Sequence, residues 1–241
     1  MRIIIIGYGK MGKVIEKIAQ QRGHEIVERI DVSNGHRLQE LTPAEADVAI
    51  EFTQPVSAYE NVKTCIQQQI PVVSGTTGWI DKKPEIEALC AEKGGAFFYA
   101  SNFSVGVNLF FQLNKYLAKM MKPYNDYQVS LEEIHHTEKK DAPSGTAITL
   151  AEGVMEHYNN KKQWVNETSD NAEDLYIESL REHDVKGTHS IYYKSPIDDI
   201  EIKHTAHTRE GFATGAVMAA EWLKDKKGVF GMADMLNLKD I

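Results

Sequence analysis

The sequence predicts an α/β chain: a doubly wound parallel sheet, followed by a second α+β unit with an open mixed or antiparallel sheet. Three observations carry that prediction. Strand and helix patterns alternate up to about residue 100, and a glycine-rich turn joins the first strand pattern to the first helical one. Past residue 102, strand patterns begin to follow one another with no helix between them.

Residues 3–6, IIII, form the continuous apolar run of a strand buried on both faces. Gly7, Tyr8 and Gly9 interrupt it, and Met11, Val14, Ile15, Ile18 and Ala19 recur at helical spacing up to Gly23. Strand patterns follow at 25–31, 48–52, 71–74 and 96–100, with helical patterns at 56–68 and 83–92. Strands joined through helices require right-handed crossovers, hence a parallel sheet. Residues 105–121 predict a long helix with Leu109, Phe110, Leu113, Leu117 and Met120 along one side. Residues 127–134 alternate as a strand, 146–158 suit a helix, and 159–171 read as a polar surface connection. Strand patterns at 189–193 and 200–208 then come in succession, which favours antiparallel pairing. An alanine-rich helix at 212–224 lets the chain return to the first sheet. The expected division is 1–104 with 210–241 as one domain, and 105–209 as the other.

With 241 residues, 42% hydrophobic and 26% charged, the chain can bury real cores and has an ordinary globular composition. The apolar start is too short for a signal-peptide core or a membrane span, and no later run is longer, so a cytoplasmic protein is expected. Cys65 and Cys90 lie in helical patterns without metal-ligand spacing and read as reduced thiols. A net charge of −8 argues against nucleic-acid binding, while a local basic pocket can still hold a small anion.

GYGKMG follows a strand pattern and opens a helical one, which gives its Gly7, Gly9 and Gly12 a Rossmann-like reading. Gly7 allows the tight turn, Gly9 lets the backbone approach a pyrophosphate, and Gly12 lets helix and strand pack closely. The helix start adds free N–H groups and a positive dipole end. Asp31 ends the second strand pattern, where an acid reaches the ribose hydroxyls and repels a 2′-phosphate. That tilts the choice toward NADH, and Arg29 and Arg37 leave NADPH open. Phe52 and Thr53, then Gly75, Thr76, Thr77 and Gly78, then residues 100–103 follow three further strands on the same sheet edge, where such sheets bind ligands.

The stretch EEIHHTEKKDAPSGTA, residues 132–147, gathers two histidines, two lysines and a helix start. Pro143 pushes its predecessor to extended geometry, so 135–142 reads as a loop leaving a strand. If the strand persists to His136, one imidazole alone faces the site; in a departing loop both converge. Ser144 or Thr146 can cap the following helix, whose free N–H groups suit a carboxylate. A histidine and a lysine beside it can donate protons or steady developing charge. A metal held with His157, His204 or His207 lacks HExxH-type spacing, so no metal is expected. APSGT is not the G-x-S-x-G elbow of a serine hydrolase.

With these motifs assembled, the chain resembles the 4-hydroxy-tetrahydrodipicolinate reductase family nearly end to end. The likeness rests on GYGKMG, EFTQP, SGTTG, ASNFSVGVN, EIHHTEKKDAPSGTA and FATGAVMAAEWL, with HH-x-x-K-x-DAPSGTA the most specific. It implies NAD(P)H-dependent reduction of a cyclic dicarboxylate imine with loss of water, in lysine and diaminopimelate biosynthesis. It implies an acid/base role for His135 and a second proton donor in Lys139. Substrate carboxylates would be held by His136, Ser144, Gly145 and Thr146. The implied cofactor contacts are Gly7, Tyr8, Gly9, Lys10, Met11, Gly12, Asp31, Phe52, Gly75, Thr76, Thr77, Ala100, Ser101, Asn102 and Phe103. A homotetramer built through the second domain's sheet and a hinge between domains are also implied, with Arg209 a candidate for site or hinge. The segment after Asp31 is shorter than the family's pattern, and Val32 stands where some members carry arginine. Two alternatives share the glycine loop: an amino-acid or semialdehyde dehydrogenase of the same two-domain plan, and a nucleotide-sensing module without turnover. Neither requires the His135–Lys139 loop.

Overall fold

The four isoleucines form the buried end of β1 (Arg2–Ile6), from which α1 (Lys10–Gln21) and β2 (Glu25–Ile30) follow. Next come β3 (Val48–Glu51), α2 (Pro55–Gln67), β4 (Val72–Ser74), α3 (Lys83–Lys93) and β5 (Ala96–Tyr99). The chain continues through α4 (Val105–Met121), β6 (Gln128–His136), α5 (Gly145–Met155), β7 (Gln163–Val165), β8 (Asp174–Glu182), β9 (Thr188–Lys194) and β10 (Asp199–Thr205). It ends with α6 (Glu210–Leu223), β11 (Gly228–Phe230) and α7 (Met232–Met235). This computed structural model describes residues 1–158, 160–208 and 210–238. They form two compact units, Met1–Val105 with the stretch from Glu210, and the stretch from Gly106 to Thr208.

In the first unit the sheet order is β11-β5-β4-β3-β1-β2, and every pairing is parallel. Alternate strand residues serve two cores. Ile3, Ile5, Val48, Ile50, Val73 and Phe98 pack with Ile15 of α1 and Ala216, Val217 and Ala220 of α6. Ile4, Ile6, Ala49, Val72 and Phe97 pack with Val62 and Ile66 of α2 and Ile86 and Cys90 of α3. Each fully buried isoleucine contributes roughly 1.5–3 kcal/mol, which explains why β1 takes the near-central position. Strand order reverses between β1 and β3, the crevice-forming point of such sheets. The return of the chain through α6 is seen, and β11 adds a sixth strand that the sequence pattern did not reveal.

The second unit is a mixed sheet ordered β10-β9-β6-β8-β7. β9 pairs antiparallel with β6 and β10, while β8 runs parallel to β6 and β7. Burial alternates along β6: Val129, Leu131, Glu133 and His135 point to the core, and Ser130, Glu132, Ile134 and His136 to the other face. β8 went unread from sequence, and β7 lies within the supposed polar connection at 159–171.

One packing expectation is corrected. α4 buries Val107, Phe110, Asn114, Leu117, Ala118 and Met121, and leaves Leu109, Leu113 and Met120 exposed. Phe110 and Leu117 of the expected side are buried and the other three are not, because the helix is apolar on more than one side. Asn114 decides the face, donating from Nδ2 to the Leu150 carbonyl of α5 at 2.8 Å. No described helix is long and apolar enough to cross a membrane.

Candidate active site

Gly7, at φ +95°, turns the chain out of β1; a Cβ there would lie 2.0 Å from the Phe52 carbonyl oxygen. A Cβ on Gly12 would lie 2.2 Å from the Gly7 carbonyl oxygen, so both glycines are required by contact. Gly9 has open space in front of it. That is a backbone cradle that a pyrophosphate can approach. A cavity of about 510 Å³ opens here, lined by Gly7, Tyr8, Gly9, Asp31, Phe52 and residues the motif reading missed: Val32, Gly35, Gln54, Ser57 and Asn61, beside the noted Thr53.

The neighbouring loops are organised by Glu51, fully buried at the end of β3. It accepts hydrogen bonds from Ser74 Oγ (2.5 Å), Thr76 Oγ1 (2.7 Å), the Thr53 N–H (3.0 Å) and the Thr53 hydroxyl. One carboxylate thus fixes both the EFTQP and SGTTG turns. A Cβ on Gly75 would strike the Phe52 ring at 2.2 Å. A second cavity, about 250 Å³, is lined by Met11, Phe52, Thr53, Pro55, Gly75, Thr76 and Thr77. Neither cavity touches Lys10, Gly12, Ala100, Ser101, Asn102 or Phe103. The Phe103 ring is core, 5.8 Å from Phe98 and 5.6 Å from Phe52 between centroids.

Arg29 is held by Glu16, and Arg37 by Glu28 and Glu40 at 3.1 and 3.0 Å. Val32 is fully exposed beside Asp31.

In the second unit, strand register brings polar groups into rows on the covered face. Glu133 stands opposite His189 of β9 and Ser179 of β8, and His135 opposite Arg181. Glu133 is fully buried, and its carboxylate accepts the Ser179 hydroxyl at 2.8 Å and the Ser144 N–H at 3.0 and 3.1 Å. His135 Nε2 lies 3.3 Å from Glu133 Oε2, and Arg181 Nη2 lies 3.4 Å from Oε1. Burial pushes the Glu133 carboxyl up, but hydrogen bonds from His135, Ser144 and Ser179 outweigh it and hold it at about 2. His189 sits with Nε2 at 3.3 Å from both His135 Nε2 and Ser144 Oγ. Burial, aided by the His135 charge, pushes His189 down to about 4.

Glu133, His135 and His189 are close enough to share a cation. The carboxylate is already engaged by a hydroxyl, an N–H group and a guanidinium, and this favours a hydrogen-bonded cluster over a metal centre.

Ser144 caps α5, its Oγ accepting the Ala147 N–H at 3.2 Å. The N–H groups of Gly145 and Thr146 have no protein partner among the described residues, the arrangement that suits an anion at a helix start. Lys139 Nζ contacts the Asp141 carboxylate at 2.7 and 2.8 Å. Arg181 staples this loop, donating to the carbonyls of Asp141 (2.6 Å) and Lys139 (3.4 Å).

β6 persists to His136, so the two imidazoles diverge rather than converge. His136 lines a different cavity, about 580 Å³, with Thr137, Glu138, His183, Lys186 and His207. Arg209 lies outside the described residues. Sequence reasoning missed Glu133, Ser179, Arg181 and His189, although period-two spacing from His135 picks out Glu133.

Comparison with known proteins agrees across the chain. The family model for the dihydrodipicolinate reductase N-terminus matches residues 1–103, and that for its C-terminus matches 106–236. The chain is 50% identical over 239 residues to the 4-hydroxy-tetrahydrodipicolinate reductase of Christiangramia forsetii, covering 98% of each. It is 31% identical over 254 residues to that of Methanoregula boonei, covering 99% of this chain and 98% of the relative. The solved dipicolinate-bound dihydrodipicolinate reductase from Paenisporosarcina sp. TG-14 has the same fold, with a TM-score of 0.79 at 21% identity over 97% of this chain and 99% of that one. The chain belongs to the dihydrodipicolinate reductase family.

Proposed function

We propose that the chain is an NAD(P)H-dependent oxidoreductase reducing 4-hydroxy-tetrahydrodipicolinate to tetrahydrodipicolinate with loss of water, in lysine and diaminopimelate biosynthesis. The observation that carries it is the full-length match to a reductase of that activity. The dehydrogenase and nucleotide-sensing alternatives do not require the HH-x-x-K-x-DAPSGTA loop that this chain carries.

The first unit, residues 1–104 with 210–241, is read as the dinucleotide-binding domain, and 105–209 as the substrate-binding and oligomerisation domain. The glycine cradle fits a pyrophosphate, with Gly7, Tyr8, Gly9, Asp31 and Phe52 lining one cavity and Met11, Gly75, Thr76 and Thr77 the next. Gly12 supports the turn by packing. Lys10 and residues 100–103 stay in the reading through family resemblance. NADH is the favoured cofactor, because Arg29 and Arg37 are both occupied by carboxylates and Val32 offers no charge. Held by this cradle, a nicotinamide cofactor would supply a hydride to the conjugated C=N system of the substrate.

Negative charge then develops on the substrate nitrogen or its enamine equivalent, and a proton donor beside it stabilises that charge as it forms. His135 is assigned this acid/base role, and Lys139 serves as second donor once substrate replaces Asp141 as its partner. The Gly145 and Thr146 N–H groups at the end capped by Ser144 hold one substrate carboxylate, and His136, whose ring turns away from His135, stays in the reading through family resemblance. A homotetramer and a cytoplasmic location complete the reading, both supported by the family resemblance.

The test is a coupled assay in which dihydrodipicolinate synthase supplies the substrate and oxidation of NADH and of NADPH is followed. Turnover with NADH favoured is expected. No oxidation of either would overturn the reading.

A further inference from the structure

We propose that Glu133 and His189 are positioning residues that hold a proton on Nε2 of His135 and leave Nδ1 as the atom that exchanges a proton with substrate. The proposal rests on the acid/base reading of His135 and adds which ring nitrogen acts and what selects it.

The geometry is specific to one nitrogen. Nε2 of His135 lies 3.3 Å from Nε2 of His189 and 3.3 Å from Oε2 of Glu133. Nδ1 has no protein partner among the described residues. Two acceptors around Nε2 favour the tautomer that carries the proton there, because an unprotonated Nε2 would face a carboxylate and a lone pair with nothing to offer.

His189 can act as that acceptor only while its own Nε2 is bare. Burial and a charge on His135 favour the neutral form of His189 and outweigh the Glu133 carboxylate, 3.7 Å from the same Nε2. The Ser144 hydroxyl, 3.3 Å from the same nitrogen, steadies it there. Glu133 stays ionised and is the counter-charge to a protonated His135. The remaining charged groups facing the cluster are Arg181 from β8, Lys139 from the following loop and His204 from β10. Each is cationic or can become so; Asp141, which also faces Glu133, is paired with Lys139 at 2.7 Å, and among the described carboxylates Glu133 is the one in contact with the His135 ring.

Gly187 guards the other edge. Its φ is +149°, and a Cβ there would lie 3.1 Å from Cε1 and 3.4 Å from Nδ1 of His135. A glycine at this position keeps Nδ1 clear. In the step itself the imidazolium gives the Nδ1 proton to the site of negative charge and is left neutral, with Nε2–H still turned inward.

The test combines kinetics with nitrogen NMR of histidine-labelled protein, the His135 signals being assigned by their loss in His135→Gln. The wild type is expected to show a protonated Nε2 and an unprotonated Nδ1 when His135 is neutral; the reverse tautomer overturns the proposal without needing any variant of Glu133. In Glu133→Gln, kcat is expected to fall roughly tenfold or more with KM little changed. The His135 nitrogen signals in the same variant should show a weaker preference for the proton on Nε2, since the carboxylate that held it there is gone. Glu133→Asp should restore part of both. A folded Glu133→Gln with wild-type kcat and an unchanged His135 tautomer would overturn the proposal. Unchanged turnover in His135→Gln would instead overturn the acid/base reading itself.

Discussion

Both carboxylate oxygens of Glu133 accept the backbone N–H of Ser144, at 3.0 and 3.1 Å, while one of them also stands 3.3 Å from Nε2 of His135. A single buried side chain therefore ties the N-cap of α5 to the histidine that precedes it by nine positions. Such placement explains how a loop rich in charge can hold a defined shape. The loop's two ends are anchored inside the sheet, and its middle is stapled by Arg181.

Removing that carboxylate leaves buried donors unanswered. Glu133→Ala is expected to lower unfolding stability by about 3 kcal/mol, and Ser144→Ala by about 1 kcal/mol through loss of the cap. Urea midpoints at constant slope would measure both. Equal losses in the two variants would show that Glu133 does not organise the loop.

Stability should fall in acid through two groups. His189, ordinarily at 6.5, is pushed to about 4 in the folded chain. The unfolded chain thus binds more protons between those values. Its contribution is complete above pH 6.5 and is lost as pH falls through 4, amounting to ~3 kcal/mol at most. Glu133, ordinarily at 4.5 and held at about 2, contributes fully above 4.5 and loses its share as pH falls toward 2. Urea midpoints across this range should slope downward toward acid, and His189→Phe should flatten the part between 6.5 and 4. An unchanged slope in that variant would remove His189 as the cause.

His135→Gln and Lys139→Ala are each expected to lower kcat roughly a hundredfold, the usual scale for losing a general acid or base. NADH affinity, read by fluorescence titration, should be preserved, because neither side chain belongs to the unit that carries the glycine cradle. Loss of NADH binding together with kcat would point to misfolding instead.

Cofactor choice depends on which guanidinium is free. Arg29 and Arg37 are both neutralised by glutamates, so Val32→Arg would add an unpaired cation beside Asp31. The ratio of kcat/KM for NADPH over NADH is expected to rise about tenfold, the value of one charge-assisted hydrogen bond. No change in the ratio would place the 2′-position elsewhere.

What the chain's own pattern determined is local and periodic. The run of isoleucines in β1, the glycines that follow it and the helical spacing after them identify the parallel sheet and its cradle, because both depend on neighbours in sequence. The HH-x-x-K-x-DAPSGTA pattern identified the family. The faces of His135 and His136 were left open by sequence, since they depended on how far β6 extends. Tertiary structure decided that β6 persists through His136 and turns the two rings apart. It also decided the face of α4, through one buried asparagine that periodicity counted as polar. The His189–Glu133–Ser179 row could not be read in advance. It arises from cross-strand register among three strands, one of which, β8, was not recognised. Register is a property of strands meeting in space, and it gave His135 its second imidazole and Glu133 its hydroxyl partner.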